Sequence, residues 1–345
     1  MNARTHFAFA APRTLQMTDV RTEVLPDFAA LHEHCAQWWA LWRRVPDATP
    51  FQSPAWLLCW ARHYAPDRSG AVAVADGDTL LALLPYFFWD DALWLAGTGP
   101  SDYGDALVAP GAACMVDALL ATLAGIALRR GCARIDLRQL RPASTLLAAA
   151  APPGWRSETA PGATCMSLRL RGDDGLGAMS GRWRRNIAYA WRKLECAGAC
   201  TLERVPPDRT QGGMDALLQM HERRWNARGS PGSFADELPR AFVHSVIPAL
   251  GDAGLLRMYA LVCDGCPLAG TFAMHAPGTT HLYTTGFDPG WSRYSPGLLS
   301  IIATIRGAAA EGDHTMHLLR GRERYKYHLG AVECMTWRRV LRSDV

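Results

Sequence analysis

Phe28, Leu31, Cys35, Trp38 and Trp42 recur at three- and four-residue spacing, which predicts one helix with a core-facing stripe, preceded by a strand at Thr22 to Leu25. Ser53-Pro54 then supplies an N-cap and an N1 proline for a second helix carrying Trp56, Leu57, Trp60 and Tyr64. Apolar runs at 71–75, 80–89 and 93–96, separated by Asp76-Gly77-Asp78 and Asp90-Asp91, predict short antiparallel strands. A strand at 106–108, a helix at 115–129 and a strand at 134–137 follow, the last stretch being a βαβ unit.

The second half repeats this order. Helices are expected at 214–228 and 238–250, strands at 255–263, 268–275 and 281–287, a helix at 296–310 and a strand at 315–318. No residue-level repeat accompanies the similarity of order. A chain of 345 residues exceeds what one core organises, about 250 to 300. The expectation is therefore two α/β (α+β) domains, 1–175 and 176–345, with mixed, mainly antiparallel sheets flanked by helices.

Composition excludes several classes. With 49% apolar and 20% charged residues and 13 tryptophans, the chain can bury a large core and does not read as disordered. A formal charge of +4 over this length does not announce a nucleic-acid binder and no DNA partner is expected, although a local basic patch could still hold a phosphate-bearing ligand. Met1 to Met17 breaks its apolar residues with Arg4, His6 and Arg13, so neither a signal peptide nor a membrane span is expected, and the expected location is the cytoplasm.

Among the ten cysteines, Cys35, Cys59, Cys114, Cys132, Cys165 and Cys334 stand singly among apolar neighbours and are expected as small buried thiols. Cys196 with Cys200, and the Cys263-Asp264-Gly265-Cys266 motif, permit a four-thiolate zinc site on ligand chemistry alone. The preferred reading is a type I′ hairpin turn at Asp264-Gly265 and no metal.

Three segments carry chemistry. Residues 180–195 form an amphipathic helix with Ile187, Ala190, Trp191 and Leu194 on one face and Arg182, Arg185, Tyr189 and Arg192 on another; it is either a solvated basic face or an anion site. In Tyr283 to Leu299 a strand ends in a glycine- and proline-bearing loop, and Ser295 precedes a helix that starts at Pro296. Such a helix N-terminus offers unpaired N–H groups to a pyrophosphate, with Gly297 permitting close approach and Arg293 adding a guanidinium.

The third segment, Leu318 to Gly330, gathers four cations, a carboxylate, two phenols and an imidazole just after a predicted strand. Acyl transfer from a thioester needs a base, oxyanion donors and an acid for the leaving thiolate. Glu323 suits the first role and Tyr325 the last, while Lys326 suits an anion; the alternative is that Glu323 only pairs with Arg320, Arg322 or Lys326. No G-x-S-x-G elbow or cysteine/histidine setting supports a covalent mechanism.

The residues Phe51-Gln52-Ser53-Pro54-Ala55-Trp56, Gly97-Thr98-Gly99 with Ser101-Asp102-Tyr103, Arg184-Arg185-Asn186-Ile187, and His221-Glu222-Arg223-Arg224-Trp225 form a recognisable series. It continues with Gly286-Phe287-Asp288-Pro289, Tyr294-Ser295-Pro296-Gly297, and Leu319-Arg320-Gly321 with Glu323 and Tyr325-Lys326. In order and spacing the chain resembles the CelD/BcsL family of GNAT-type acyltransferases, related to the FemAB peptidyltransferases.

The resemblance implies tandem GNAT-like domains and transfer of an acyl group to an amine or hydroxyl of a small metabolite or saccharide precursor. Acyl-CoA or an acyl-carrier protein would be the co-substrate, with no tightly bound cofactor. It implies donor phosphates near Arg293, Ser295 and Gly297, and substrate contacts from Asp102, Tyr103, Arg185, Asn186 and Arg320. Arg293 to Gly297 departs from the usual GNAT pyrophosphate loop. Two alternatives remain: an aminoacyl-tRNA donor, and a non-catalytic accessory module of polysaccharide synthesis.

Overall fold

The computed structural model describes residues 19–227 and 229–344, so the segment Met1 to Met17 and Arg228 lie outside the described residues. The first half runs β1 (Val20–Leu25), α1 (Phe28–Glu33), α2 (Cys35–Arg44), α3 (Pro54–Tyr64), β2 (Ser69–Asp76), β3 (Thr79–Trp89) and β4 (Ala92–Leu95). It continues with β5 (Leu107–Val108), α4 (Met115–Arg129), β6 (Arg134–Leu140), α5 (Thr145–Ala148) and β7 (Trp155–Arg169). The second half runs α6 (Gly181–Glu195), β8 (Cys200–Arg204), α7 (Thr210–Asn226), α8 (Glu237–Asp252), β9 (Leu256–Cys263) and β10 (Cys266–Ala276). Then come β11 (Thr279–Phe287), α9 (Pro296–Ala310), β12 (Thr315–Arg320), α10 (Arg324–His328) and β13 (Val332–Ser343).

The helix expected from Phe28 to Trp42 divides in two. His34 turns at φ −92°, ψ 15°, and its N–H closes on Leu31 O at 3.1 Å. The stripe survives the break, with Phe28, Leu31, Trp38 and Trp42 buried, whereas Cys35 is half-buried. Ser53 caps α3 as its sequence position predicts, accepting from Trp56 N–H.

Among the described residues the strands form one mixed sheet in the order β1-β2-β3-β4-β6-β13-β7-β12-β11-β10-β9-β8, with β5 paired to β3. The fold is mixed α/β, as the element pattern predicts. Its seam lies at the centre. The first half's last strand, β7, pairs with β12, and the chain's last strand, β13, pairs with β6. The two exchanged strands pair with each other from Val332–Ser167 to Ser343–Trp155.

Helices α9 and α6 cover one face of the second half, packing Leu299, Ile302, Ile305, Ile187 and Leu194 with Leu261, Ala273 and Leu282. On the other face a single apolar cluster runs through both halves, joining Trp38, Phe51 and Trp56 of the first to Leu217, Phe242 and Phe272 of the second. Helices α3 and α8 meet there, with the Trp56 and Phe242 rings edge-on at 5.0 Å. Burial of these aromatic rings holds the two halves in one arrangement.

The cysteine expectations need correction: of the six expected buried thiols only Cys59, Cys132 and Cys165 are buried, while Cys35 and Cys334 are half-buried. Cys200 and Cys263, directly opposite in the β8–β9 ladder, form a disulfide, and Cys114 is exposed. The turn between β9 and β10 does have both central residues at positive φ, Asp264 at 48° and Gly265 at 77°.

A splayed strand pair forms the candidate acyl-transfer site

Strands β11 and β12 run parallel and pair at only three positions, Thr279–Thr315, Thr280–Met316 and His281–His317. Beyond them the strands diverge, at the point where β12 carries a bulge in its continuous ladder with β7 on the other edge and Leu319 takes φ 55°. The gap opens a cavity of about 130 Å³ lined by Leu282, Tyr283, Thr284 and Thr285 on one side and Leu318, Leu319 and Arg320 on the other, with His221, Arg224, Trp225, Glu323, Tyr325, Lys326 and Asp102 as its remaining walls. Tyr283, Thr284, Asp102 and Arg320 also line a second cavity of about 470 Å³, whose remaining walls include Tyr64, Phe234 and Phe242. The shared lining makes the two cavities one cleft between the halves. Strand backbone facing the gap has lost its ladder partner, so an extended ligand can supply one.

Several expected site residues converge here. Arg320 donates its backbone N–H to Asp102 Oδ2 at 3.3 Å and pairs through Nε with Oδ1 of the same carboxylate, while its Nη2 reaches Gly99 O at 3.1 Å. That set ties the loop after β4 to the end of β12. Glu323 sits at the N-cap of α10 with its side chain 52% exposed, 3.0 Å from the Lys326 ammonium. Gly321, at φ 105°, leaves room for that carboxylate, which any Cβ there would meet at 2.6 Å. Burial, reinforced by the Glu323 carboxylate, pushes the Tyr325 phenol well above its usual range, so it stays protonated.

Other expectations change on inspection of the geometry. Lys326 is 2% exposed, and its ammonium donates to the carbonyls of Arg320 at 2.7 Å and of Leu319 and Gly321 at 3.3 Å. It holds the β12–α10 loop together and has its donors occupied. Tyr103 is buried beneath the cleft, its hydroxyl 3.1 Å from His317 Nδ1, and lines neither cavity.

Ser295 is the N-cap residue by position, at φ 54°, ψ 43°, but its side chain makes no cap bond. Gly297 makes room for the Phe287 ring, which a Cβ would meet at 2.8 Å. Arg293 donates to Tyr294 Oη at 2.8 Å. Arg185 and Asn186 are exposed on α6 and line neither cavity. Among the described residues, no group of three or more His, Cys, Asp or Glu side chains is arranged to hold a metal ion.

Sequence reasoning missed His221 and Tyr283. Gly286 carries the signal for the first: a Cβ there would strike Leu217 O at 2.7 Å and His221 N at 3.2 Å, so only glycine lets α7 press His221 against β11. The His221 Nε2 accepts the Trp225 indole N–H at 2.9 Å. Burial first, then the charges of Arg224 and Arg240, hold its pKa down to about 4. It is thus a neutral imidazole at pH 7, with its proton on Nδ1. Tyr283 donates to Pro100 O at 3.2 Å and forms the floor common to both cavities.

Residues 181–327 match the acetyltransferase (GNAT) domain family. The matched segment contains both lips of the splay, and Glu323 and Tyr325 with them. The whole fold is similar to that of FemX, at 11% identity over 88% of this chain and 95% of that one, with a TM-score of 0.65. It is also similar to a conserved protein of unknown function from Bacteroides thetaiotaomicron, at 15% identity over 90% and 97% of the chains, with a TM-score of 0.60. A third similarity is to the C-terminal domain of a candidate lysylphosphatidylglycerol synthetase from Agrobacterium fabrum, at 13% identity over 90% and 91%, with a TM-score of 0.59. No curated protein matches the chain.

The first half has its own parallel pair outside the matched GNAT domain, and there the gap is filled. Strands β4 and β6 pair at Leu93–Ile135 and Trp94–Asp136, then part at a bulge where Gln139 takes φ 55°, as Leu319 does in β12. Gly104 lies in that gap, donating its N–H to Gln139 O at 3.0 Å, and a Cβ on it would meet Arg138 O at 2.6 Å and Leu95 Cδ1 at 3.2 Å. The filling loop then carries Asp102 across to Arg320. One half closes its wedge with a segment that helps to build the other's. No helix among the described residues is long and apolar enough to cross a membrane.

Proposed function

We propose that the chain is a cytoplasmic acyltransferase of the CelD/BcsL type, built as GNAT-like halves 1–175 and 176–345 with one donor site, in the second half. The reading is carried by the open splay between β11 and β12, with Glu323, Tyr325 and His221 at its mouth. A thioester donor lies in the gap with its amides against the unpaired strand backbone. Its phosphates rest at the N-terminus of α9, in the segment that includes Arg293, Ser295 and Gly297. Coenzyme A and a carrier-protein arm share this chemistry.

The acceptor occupies the larger cavity, where Tyr64, Phe234 and Phe242 cover its apolar body and the Asp102–Arg320 pair meets its polar end. Glu323, directly or through one water, takes the proton from the attacking amine or hydroxyl. Neutral His221 donates its Nδ1 proton toward the thioester oxygen as negative charge develops there. Tyr325, held as a phenol, donates a hydrogen bond to the departing sulfur. Lys326 fixes the loop that presents both residues.

The test is titration of the protein with acetyl-CoA and octanoyl-CoA, followed by turnover of Glu323→Gln and Tyr325→Phe. Micromolar binding with kcat down about 100-fold or more in the glutamine variant supports the reading. A fully active, folded Glu323→Gln protein removes that residue from the mechanism. The similarity of fold to FemX favours one second reading, an aminoacyl-tRNA donor, which would bind in place of both thioesters.

A further inference from the structure

Helix α6 touches the segments that follow both strands of the donor wedge. Near its start, Trp183 stacks on His328 of α10, which follows β12, with ring centroids 4.0 Å apart. Near its end, Lys193 places its ammonium 5.3 Å from the ring centroid of Tyr294, in the turn that follows β11. Its apolar side, with Ile187 and Leu194, is buried in the core of this half. The opposite side faces solvent and carries Arg182, Arg185, Tyr189 and Arg192, spaced three, four and three residues apart.

At 1.5 Å per residue this stripe is about 15 Å long. Among the described residues none of its three guanidiniums has a carboxylate or carbonyl partner, whereas the neighbouring Arg184 pairs with Asp174 at 3.2 Å. The helix contains no acidic side chain before Glu195, and that one accepts the Trp191 indole N–H at 2.6 Å. Tyr189, 61% exposed, adds an aromatic surface between Arg185 and Arg192. Three unpaired cations in a row repel one another and are held there without local compensation.

The stripe is convex, so it does not enclose a small molecule; small ligands occupy concave sites. Its fit is to the surface of a second macromolecule of opposite charge. We propose that α6 is the docking surface for a small acidic carrier protein that delivers the acyl group as a thioester on a flexible arm, the arm passing over α6 into the splay between β11 and β12. The proposal rests on the reading of that splay as the donor site. A protein-borne donor leaves its body outside the wedge, and α6 bridges the segments that follow β11 and β12.

The probe is an acidic acyl carrier protein in its octanoyl form, with octanoyl-CoA titrated alongside and a tRNA pool as a third ligand. The expected result is micromolar binding of the octanoyl carrier that weakens steeply between about 50 and about 300 mM salt. Arg182→Glu/Arg185→Glu/Arg192→Glu should lower carrier affinity at least about tenfold more than it lowers octanoyl-CoA affinity. Arg21→Glu/Arg129→Glu/Arg342→Glu, an equal charge change on the first half and on the β13 strand paired to it, should not. The wild-type salt dependence keeps the test independent of how well either variant folds.

Binding of octanoyl-CoA without binding of the carrier overturns the docking surface and leaves the donor site standing. Failure of both thioesters to bind overturns the donor site itself. Binding of tRNA in preference to the carrier, lost in the α6 variant, overturns the acidic-protein partner.

Discussion

Replacing Lys326 with methionine separates a loop clamp from a ligand-binding lysine. Methionine keeps most of the stem, so packing changes little, but the ammonium disappears from among three carbonyls at 2.7 to 3.3 Å. A buried acceptor left without a donor costs about 1 to 3 kcal/mol. The Leu319 and Gly321 carbonyls are at the long end of the range and the adjoining cavity admits water, so the Arg320 carbonyl dominates. The Glu323 partner is half-exposed and contributes less than about 1 kcal/mol. The sum is a loss of about 1 to 4 kcal/mol, or roughly 1 to 6 °C in Tm for a chain of 345 residues. Urea unfolding should show a lower midpoint at unchanged slope. A lysine kept free for phosphate would behave oppositely, with donor affinity falling and stability intact. An unchanged midpoint in Lys326→Met would refute the clamp.

Three further outcomes are expected. Gly297→Ala drives a methyl into the Phe287 ring and should cost about 1 to 3 kcal/mol by the same unfolding assay, with partial recovery in Gly297→Ala/Phe287→Leu; failure of the second change to restore stability would return Gly297 to a ligand role. His221 and His317 are each held down to about pKa 4, chiefly by burial, so the unfolded chain takes up their protons first and stability should fall as pH drops from about 6.5 toward 4. Each histidine contributes at most about 3 kcal/mol, and a flat urea midpoint across that window would contradict their buried, neutral state. Calorimetric titration with octanoyl-CoA should give one site per chain, since Gly104 fills the gap between β4 and β6; two equal sites would contradict that plug.

The sequence showed most clearly those elements whose side chains alternate or recur cleanly. Helices α4 and α9 were predicted at the residue limits found, Met115–Arg129 and Pro296–Ala310, because their stripes are long and uninterrupted. Strands β7 and β13 were not predicted. Through its first ten positions β7 is mostly exposed, and Pro161 and Gly162 interrupt it, so neither alternation nor propensity marks it. Proline is tolerated there because the ladder slips between Met335 and Trp337. Strand β8 is short and mostly exposed, and was missed for the same reason.

At the site, the charged segment from Arg320 to Lys326 was legible as a group because it follows a strand, but its division of labour was not. Which cation faces the cleft and which is turned under the loop depends on the bulge at Leu319, a single positive φ on a leucine that composition does not announce. His221 was quoted within a motif without a role, since its position depends on Gly286 of a strand more than sixty residues later.

The exchange of β7 and β13 bears directly on how the cleft works. If each half kept its own last strand, the halves would meet along one strand edge and could hinge there, and a cleft made of Asp102 from one and Arg320 from the other would open and close. Here β13 is hydrogen-bonded to β6 on one side and to β7 on the other, and β7 to β12. Separating the halves would break three ladders and expose the aromatic cluster of Trp56, Phe242 and Tyr283. The cleft walls are therefore fixed relative to each other, and ligand access falls to the solvent-facing elements at its rim. Of these, the segment carrying Ser233 and Phe234 before α8 lines the larger cavity from outside the sheet. It is held by Arg240 Nε at 2.7 Å from Phe234 O and by the edge-on contact of Phe234 with His221 at 5.0 Å. A segment restrained by a few such contacts opens at far lower cost than the sheet beneath it.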